Sequence, residues 1–232
     1  MTWQTAAVIG ATGGLGSALC ELLEERGCTV HRLSRSAAAQ EHRIDVEDEA
    51  SIERTAAWCA AQGSIDLVLV ATGALEGGNF SPEKDWRQLN GLSFARYFAI
   101  NATGPALVAK HFLPLLPRKG RSGFAALSAR VGSITDNRLG GWYGYRASKA
   151  ALNMIVKTAS IELARKRPEA FCVALHPGTV ATALSAPHQG NVAPQKLFLP
   201  RQSAAHLLAV LDGLSATDTG KCFAWNGEVI AP

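Results

Sequence analysis

The stretch VIGATGGLG, Val8 to Gly16, joins a strand-like apolar run to a helix-favouring one, and its glycines set the reading of the whole chain. Glycine at 10, 14 and 16 lets the backbone turn tightly and approach a pyrophosphate, whose charge the unpaired amides of the following helix start can receive. A bare structural turn would use the same residues, and the spacing GxxxGxG differs from the GxGxxG fingerprint, so the position between first strand and first helix is what favours dinucleotide binding. Outward from this loop, apolar runs and amphipathic stretches alternate to the end of the chain, the βαβ pattern of a doubly wound sheet. Strands are expected near 5–10, 28–33, 65–71, 123–128, 171–176 and 221–225, with a short one at Arg43 to Asp45. Helices are expected near 15–26, 48–61, 92–116, 143–166 and 201–214. This is an α/β chain forming one domain over residues 1–232, a parallel sheet of about seven strands with helices on both faces. Ala183 to Pro200, with three prolines, is too long for an ordinary connection and reads either as a substrate lid or as a plain surface loop.

The composition agrees with this architecture. Of 232 residues, 47% are hydrophobic and 18% charged, with 22 glycines, which suits one sizeable core and a buried parallel sheet. The net charge of +4 comes without a long basic block, and the dense runs Arg118 to Arg121 and Arg165 to Arg167 each follow a helical pattern, where cations complement the negative helix end. No nucleic-acid partner is expected. Five cysteines never fall as CxxC and read as small core residues in a reducing compartment. The six histidines form no metal pattern, so no metal is expected; only His188, in the candidate lid, stands near a possible site. The first residues lack the flank and apolar run of a signal peptide, and no run of about 18 apolar residues exists. A cytoplasmic protein without a membrane partner is expected.

A second stretch carries chemistry: GGWYGYRASKAALNM, Gly140 to Met154. Tyr145 and Lys149 stand four apart in a helix-favouring run and so share one helix face. A fixed ammonium nearby would stabilise phenolate and draw the tyrosine down from its ordinary pKa of ~10 toward working pH, as a general acid requires. Taken alone, YxxxK also describes a solvated helix face. Trp142 and Tyr143 either line a substrate wall or pack at the helix start. At the end of the second strand, Ser34 and Arg35 stand where a chain selecting NAD places an acid, and an arginine there accommodates a 2′-phosphate, so NADP(H) is favoured over NAD(H). Arg32 reads either as an additional phosphate partner or, more simply, as an ordinary surface charge. Asp45 and Val46 end the next short strand, where the carboxylate could accept from an adenine amino group or cap the following helix.

With the glycine loop, Ser34–Arg35 and Tyr145–Lys149, the chain resembles the short-chain dehydrogenase/reductase family over essentially its full length. The resemblance implies a Rossmann fold. HPGTVAT, His176 to Thr182, is similar to the family's Pro-Gly turn, implying that the Val180 backbone and Thr182 hold the nicotinamide carboxamide. Asn101, in AINATGP, matches the family's helical asparagine. Pro105 has no N–H to offer the Asn101 carbonyl, so the helix should bend there and the carbonyl is free to hold a water. In the family this group is implied to join a proton relay. The implied cofactor-binding set is Gly10, Thr12, Gly14, Leu15, Gly16, Ser34, Arg35, Asp45, Val46, Ala71, Thr72, Gly73, Tyr145, Lys149, Pro177, Gly178, Val180 and Thr182.

Departures from the family pattern are visible too. Val70, Ala71, Thr72 and Gly73 stand where Asn-Asn-Ala-Gly is usual, and Ala129 falls on the serine implied to polarise the substrate carbonyl. Ser133 could supply that hydroxyl if the Arg130 to Gly132 turn folds back, and Ser128 could if the register slips; either could instead cap a turn. The phrase SARVGSITDN before GGWYGYRASKAALNM looks most like the branch of C-factor-type proteins and sniffer-like carbonyl reductases. The resemblance implies an NADPH-dependent oxidoreductase reducing a ketone or aldehyde, with Tyr145, Lys149 and Asn101 catalytic. The alternatives are a cofactor-binding sensor or signalling protein of C-factor type, and an epimerase or dehydratase on the same scaffold. A homodimer or homotetramer is expected, paired through the helices at 92–116 and 143–166. The segments 183–200 and 75–81 should set the substrate but carry no readable code.

Overall fold

The structure, a computed structural model, describes residues 3–77, 80–190, 193 and 196–232. The chain begins β1 (Thr5–Ile9), α1 (Gly14–Glu25), β2 (Thr29–Leu33), α2 (Glu49–Gln62) and β3 (Leu67–Val70). It continues through α3 (Gly91–Phe98), α4 (Gly104–Phe112), β4 (Ser122–Leu127), α5 (Tyr143–Lys166) and β5 (Ala170–His176). The last part holds β6 (Thr179–Val180), β7 (Leu197–Phe198), α6 (Pro200–Gly213), β8 (Cys222–Ala224) and β9 (Val229–Ile230). Seven strands form one sheet in the order β2-β1-β3-β4-β5-β8-β9, parallel except for β9. Growth of the sheet reverses between β1 and β3, the switch point where such sheets bind ligands beyond the strand ends.

Strand side chains alternate between two buried faces. In β3, Val68 and Val70 pack with Ile52 of α2, Phe112 of α4 and Leu152 of α5, while Leu67 and Leu69 pack with Leu19 of α1 and Leu207 of α6. All five cysteines are buried and unpaired, as their apolar settings imply. The basic runs do serve carbonyls, but not those of the helix each follows: Arg121 donates to the Leu211 and Leu214 carbonyls at the end of α6, and Arg167 to those of Pro114 and Leu116 beyond α4. Among the described residues no helix is long and apolar enough to cross a membrane.

Four features differ from expectation, the first being the short β6–β7 pair, where no strand was expected. The strand at Arg43 to Asp45 is reduced to one bridge, Ser34 to Arg43, because Ser51 and Thr55 of α2 take the Arg43 carbonyl and Ser51 accepts from the Asp45 amide. The helix at 92–116 is broken by a π turn at Ala99–Thr103, in which the Gly104 amide reaches the Ala99 carbonyl five residues back, just before Pro105 withdraws its donor. Strand β9 was not expected. It returns through Asn226–Gly227, with Gly227 at φ 86°.

Candidate active site

Three strand ends build one cleft of about 1190 Å³. Gly10, Thr12 and Gly13 follow β1, Ser34 and Arg35 follow β2, Ala71, Thr72 and Gly73 follow β3, and Asp45 and Val46 close one wall. The turn after β1 is as tight as its glycines allow: Gly10 has φ 90°, and a Cβ on Gly16 would stand 2.2 Å from the Gly10 carbonyl oxygen. Gly16 therefore shapes the loop from beneath without lining the cleft, and the Leu15 side chain is buried in the α1–α6 layer. Helix α1 starts with Gly13 as its N-cap and no side-chain cap, which leaves its first amides available to an anion. Gly13 escaped the GxxxGxG reading, although the residue before a glycine-led helix is the natural cap.

The remaining cofactor candidates sort by what they touch. Arg35 has no ion pair or hydrogen bond with the described residues, and the buried Thr72 hydroxyl has no partner among them. Arg32 is a surface charge, bound to Glu24 through two hydrogen bonds. Asp45 does not cap α2; Asp48 does, accepting from the Ala50 amide, while Asp45 accepts from that of Glu47. The turn after β5 folds over the glycine loop, since a Cβ on Gly14 would come 3.0 Å from the Thr182 methyl. Pro177, Gly178 and Val180 belong to this turn and do not line the cleft. The candidate lid is tied at its base by pairing of Thr179–Val180 with Leu197–Phe198. Leu184 lines the cleft, and His188 bonds Glu76 at 3.0 Å and stacks edgewise on Trp142. Asn191, Val192, Pro194 and Gln195 of that segment, and Gly78 and Asn79 of 75–81, lie outside the described residues.

Tyr145 and Lys149 stand together and are buried, 8% and 3% exposed, and neither lines the cleft itself. The Lys149 ammonium lies 5.8 Å from the Tyr145 ring centre and donates to the Leu127 carbonyl at 2.8 Å. Gly73, Asn101 and Lys149 converge, for a Cβ on Gly73 would lie 3.6 Å from both Asn101 Oδ1 and Lys149 Nζ. Asn101 is held on every side: Oδ1 accepts from the Ala74 amide, and Nδ2 donates to the Ala74 carbonyl and to Ser148 Oγ, which itself donates to the Tyr145 carbonyl. Ser148 was overlooked because a serine inside a helix gives no sequence signal of its own.

The serine expectations resolve as follows. Ser128 Oγ donates to Asn153, while Ser133 Oγ accepts from the Asp136 amide and donates to the Pro232 carbonyl. None of these three bonds leads to the Tyr145 phenol. Ala129 instead shares a small apolar cluster with Tyr145, Leu75 and Tyr97, against which Phe80, Val131 and Trp142 pack. The expected acidification of the phenol is also reversed. Burial pushes Tyr145 up to about 12 and Lys149 down to about 8, because both charged forms lose water in this setting and the ammonium does not offset that loss at the ring. As folded, the pair holds a firmly protonated phenol beside a weakened ammonium.

Comparison with known proteins settles the family. A model described as short chain dehydrogenase matches residues 4–192. This chain belongs to that family. It is 40% identical over 137 residues to the C-signal of Myxococcus xanthus, covering 59% of this chain and 76% of that protein. It is similar to an NADPH-bound carbonyl reductase from chicken fatty liver, at 25% identity over 100% of both chains with a TM-score of 0.84. It shares its fold with the carbonyl reductase Sniffer of D. melanogaster, at 22% identity, 100% coverage of both chains and a TM-score of 0.82. The C-factor side of the resemblance seen in SARVGSITDN is met by the C-signal identity, and the Sniffer match shows the shared fold.

Proposed function

We propose that this short chain dehydrogenase reduces a ketone or aldehyde with NADPH, Tyr145 giving its proton to the carbonyl oxygen. One observation carries the reading: the buried Tyr145–Lys149 pair and Asn101 stand directly behind Gly73, which lines a cleft made by the β1, β2 and β3 ends. The cleft suits a dinucleotide chemically. Glycine-lined backbone and open helix amides fit a pyrophosphate, the unpartnered Arg35 fits a 2′-phosphate, and the orphaned Thr72 hydroxyl awaits a polar group. When bound, the cofactor supplies hydride to the carbonyl carbon. Tyr145 would hold the proton on its phenolic oxygen, Lys149 would hold the ribose hydroxyls, and the fixed Asn101 side chain holds Ala74, next to Gly73, by two hydrogen bonds. The Asn101 carbonyl, which Pro105 cannot serve as donor, is the anchor for a relay water.

Arg35→Ala tests the cofactor. NADPH affinity should fall by about 1.5–3 kcal/mol, roughly ten- to a hundredfold, with NADH little changed, as judged by fluorescence titration. Equal losses for both cofactors would mean that Arg35 does not read the phosphate.

A second reading, a cofactor-binding sensor with little turnover, is favoured by the methyl of Ala129 where the family pattern puts a hydroxyl. A panel of simple carbonyls with NADPH separates the two: measurable cofactor binding with no oxidation on any of them would support the sensor. Self-association is expected through the groove between α4 and α5, about 490 Å³ in volume and bordered by Met154, which is 66% exposed. Light scattering showing a strict monomer would remove that expectation.

A further inference from the structure

Helix α5 carries both Tyr145 and Lys149, and its first turn is held from outside. Its N-cap, Trp142, has φ 54° and ψ 40° and makes no side-chain cap bond; it has the sole positive φ of any non-glycine among the described residues. Gly140 and Gly141 before it are left-handed as well, at φ 64° and 65°. A bulky residue does not take up this conformation unless its surroundings hold it there. The holding group is Glu83, in the segment between β3 and α3. Its carbonyl accepts from the Trp142 amide at 2.5 Å, and its carboxylate Oε2 accepts from the Gly144 amide at 3.1 Å. Two of the free amides at the helix start thus find acceptors on one distant residue.

Glu83 is 3% exposed, and its Oε1 has no hydrogen-bond partner among the described residues. The absence of a side chain at Gly144 makes room for it: a Cβ there would stand 3.0 Å from Oε1 and 2.4 Å from the Tyr97 ring. Tyr97 meets Tyr145 edgewise at 6.2 Å, so carboxylate, Tyr97 and Tyr145 are stacked around one turn. A buried negative group suits this place because the amides of a helix start carry partial positive charge. The neighbouring phenol feels it, since burial first and the Glu83 charge next raise the Tyr97 pKa.

We propose that Glu83 is the positioning residue of the proton donor, a cap supplied from the β3–α3 segment that fixes the first turn of α5 and so the place of the Tyr145 ring. Its effect on the helix rests on geometry alone; its effect on turnover rests on the reading of Tyr145 given above. Hydrogen exchange of the full chain, with NADPH binding and carbonyl reduction measured alongside, tests both. In Glu83→Ala, exchange at 142–146 should quicken at least tenfold with 152–163 unchanged. The kcat should fall at least tenfold, while carbonyl KM and NADPH affinity stay within threefold. Glu83→Gln, which keeps an acceptor oxygen at the same reach, should restore protection and at least a third of kcat. If Glu83→Ala does not fold, Glu83→Asp, one methylene shorter, should show the same local loosening. Wild-type protection of 142–146 in the Ala or Asp variant, or a Gln variant as poor as Ala, would overturn the assignment. Should the parent protein reduce no carbonyl tested, the reading of Tyr145 fails and the exchange result alone decides Glu83.

Discussion

Tyr145→Phe should bind NADPH as the parent protein does and reduce carbonyls roughly 10²–10⁴-fold more slowly, the usual worth of a positioned general acid. The substitution removes one oxygen and leaves the ring, whose edgewise contacts with Tyr97 and Trp142 hold it in place, so the fold has little reason to change. With the phenol pushed up to about 12, the parent's proton stays in place across neutral pH. Reduction should therefore be flat on the acid side and fall above about pH 8, as the buried Lys149, lowered to about 8, gives up its charge. Undiminished NADPH oxidation by the phenylalanine variant on an accepted substrate would take Tyr145 out of the mechanism.

Lys149→Met should abolish turnover and yet make the protein more stable at neutral pH. Lysine titrates at 10.5 when free and at about 8 here. Below pH 8 it is charged in both folded and unfolded chains, and the folded state bears the full cost of a charge removed from water, about 3 kcal/mol at 1.36 kcal/mol per pKa unit. Between pH 8 and 10.5 the unfolded chain keeps a proton that the folded one has lost, so parent stability rises with pH across that window. Methionine fills a similar volume without the charge; it forfeits the bond to the Leu127 carbonyl, worth about 1 kcal/mol. The net gain should be about 2 kcal/mol at pH 6–7 and should shrink toward pH 10, as read by urea unfolding across pH. A variant less stable than the parent at every pH would show that burial of Lys149 carries no such cost. A buried charge kept at the expense of stability is a common trade-off where a site needs it.

Several features were legible before folding because their causes are local. The β3 and β5 runs are apolar on both faces, which only a strand covered by helices on both sides accommodates, and both formed where expected. Gly10 and Gly16 announce a turn because no other residue fits their backbone or their spacing. Asn226–Gly227 carried an equally local hairpin signal for β9 that went unread. The π turn at Ala99–Thr103 was legible only as a bend: Pro105 says that a donor is missing, not how the neighbouring bonds rearrange. Glu83 looked like any surface acid in SPEKDW, and nothing near it in the chain says that it will be buried under Gly144, 61 residues on.

Read as a string, then, the chain already announces its alternating strands and helices, its tight glycine turn and a tyrosine and lysine on one helix face, since periodicity and glycine spacing act over a few residues. Folding alone decides that Ala129 shares the tyrosine's cluster while Ser128 and Ser133 bond elsewhere, that a distant carboxylate caps the helix, and that the phenol is pushed up rather than down. Those outcomes depend on how much water the whole surrounding structure removes from a group, a quantity no short stretch of sequence contains.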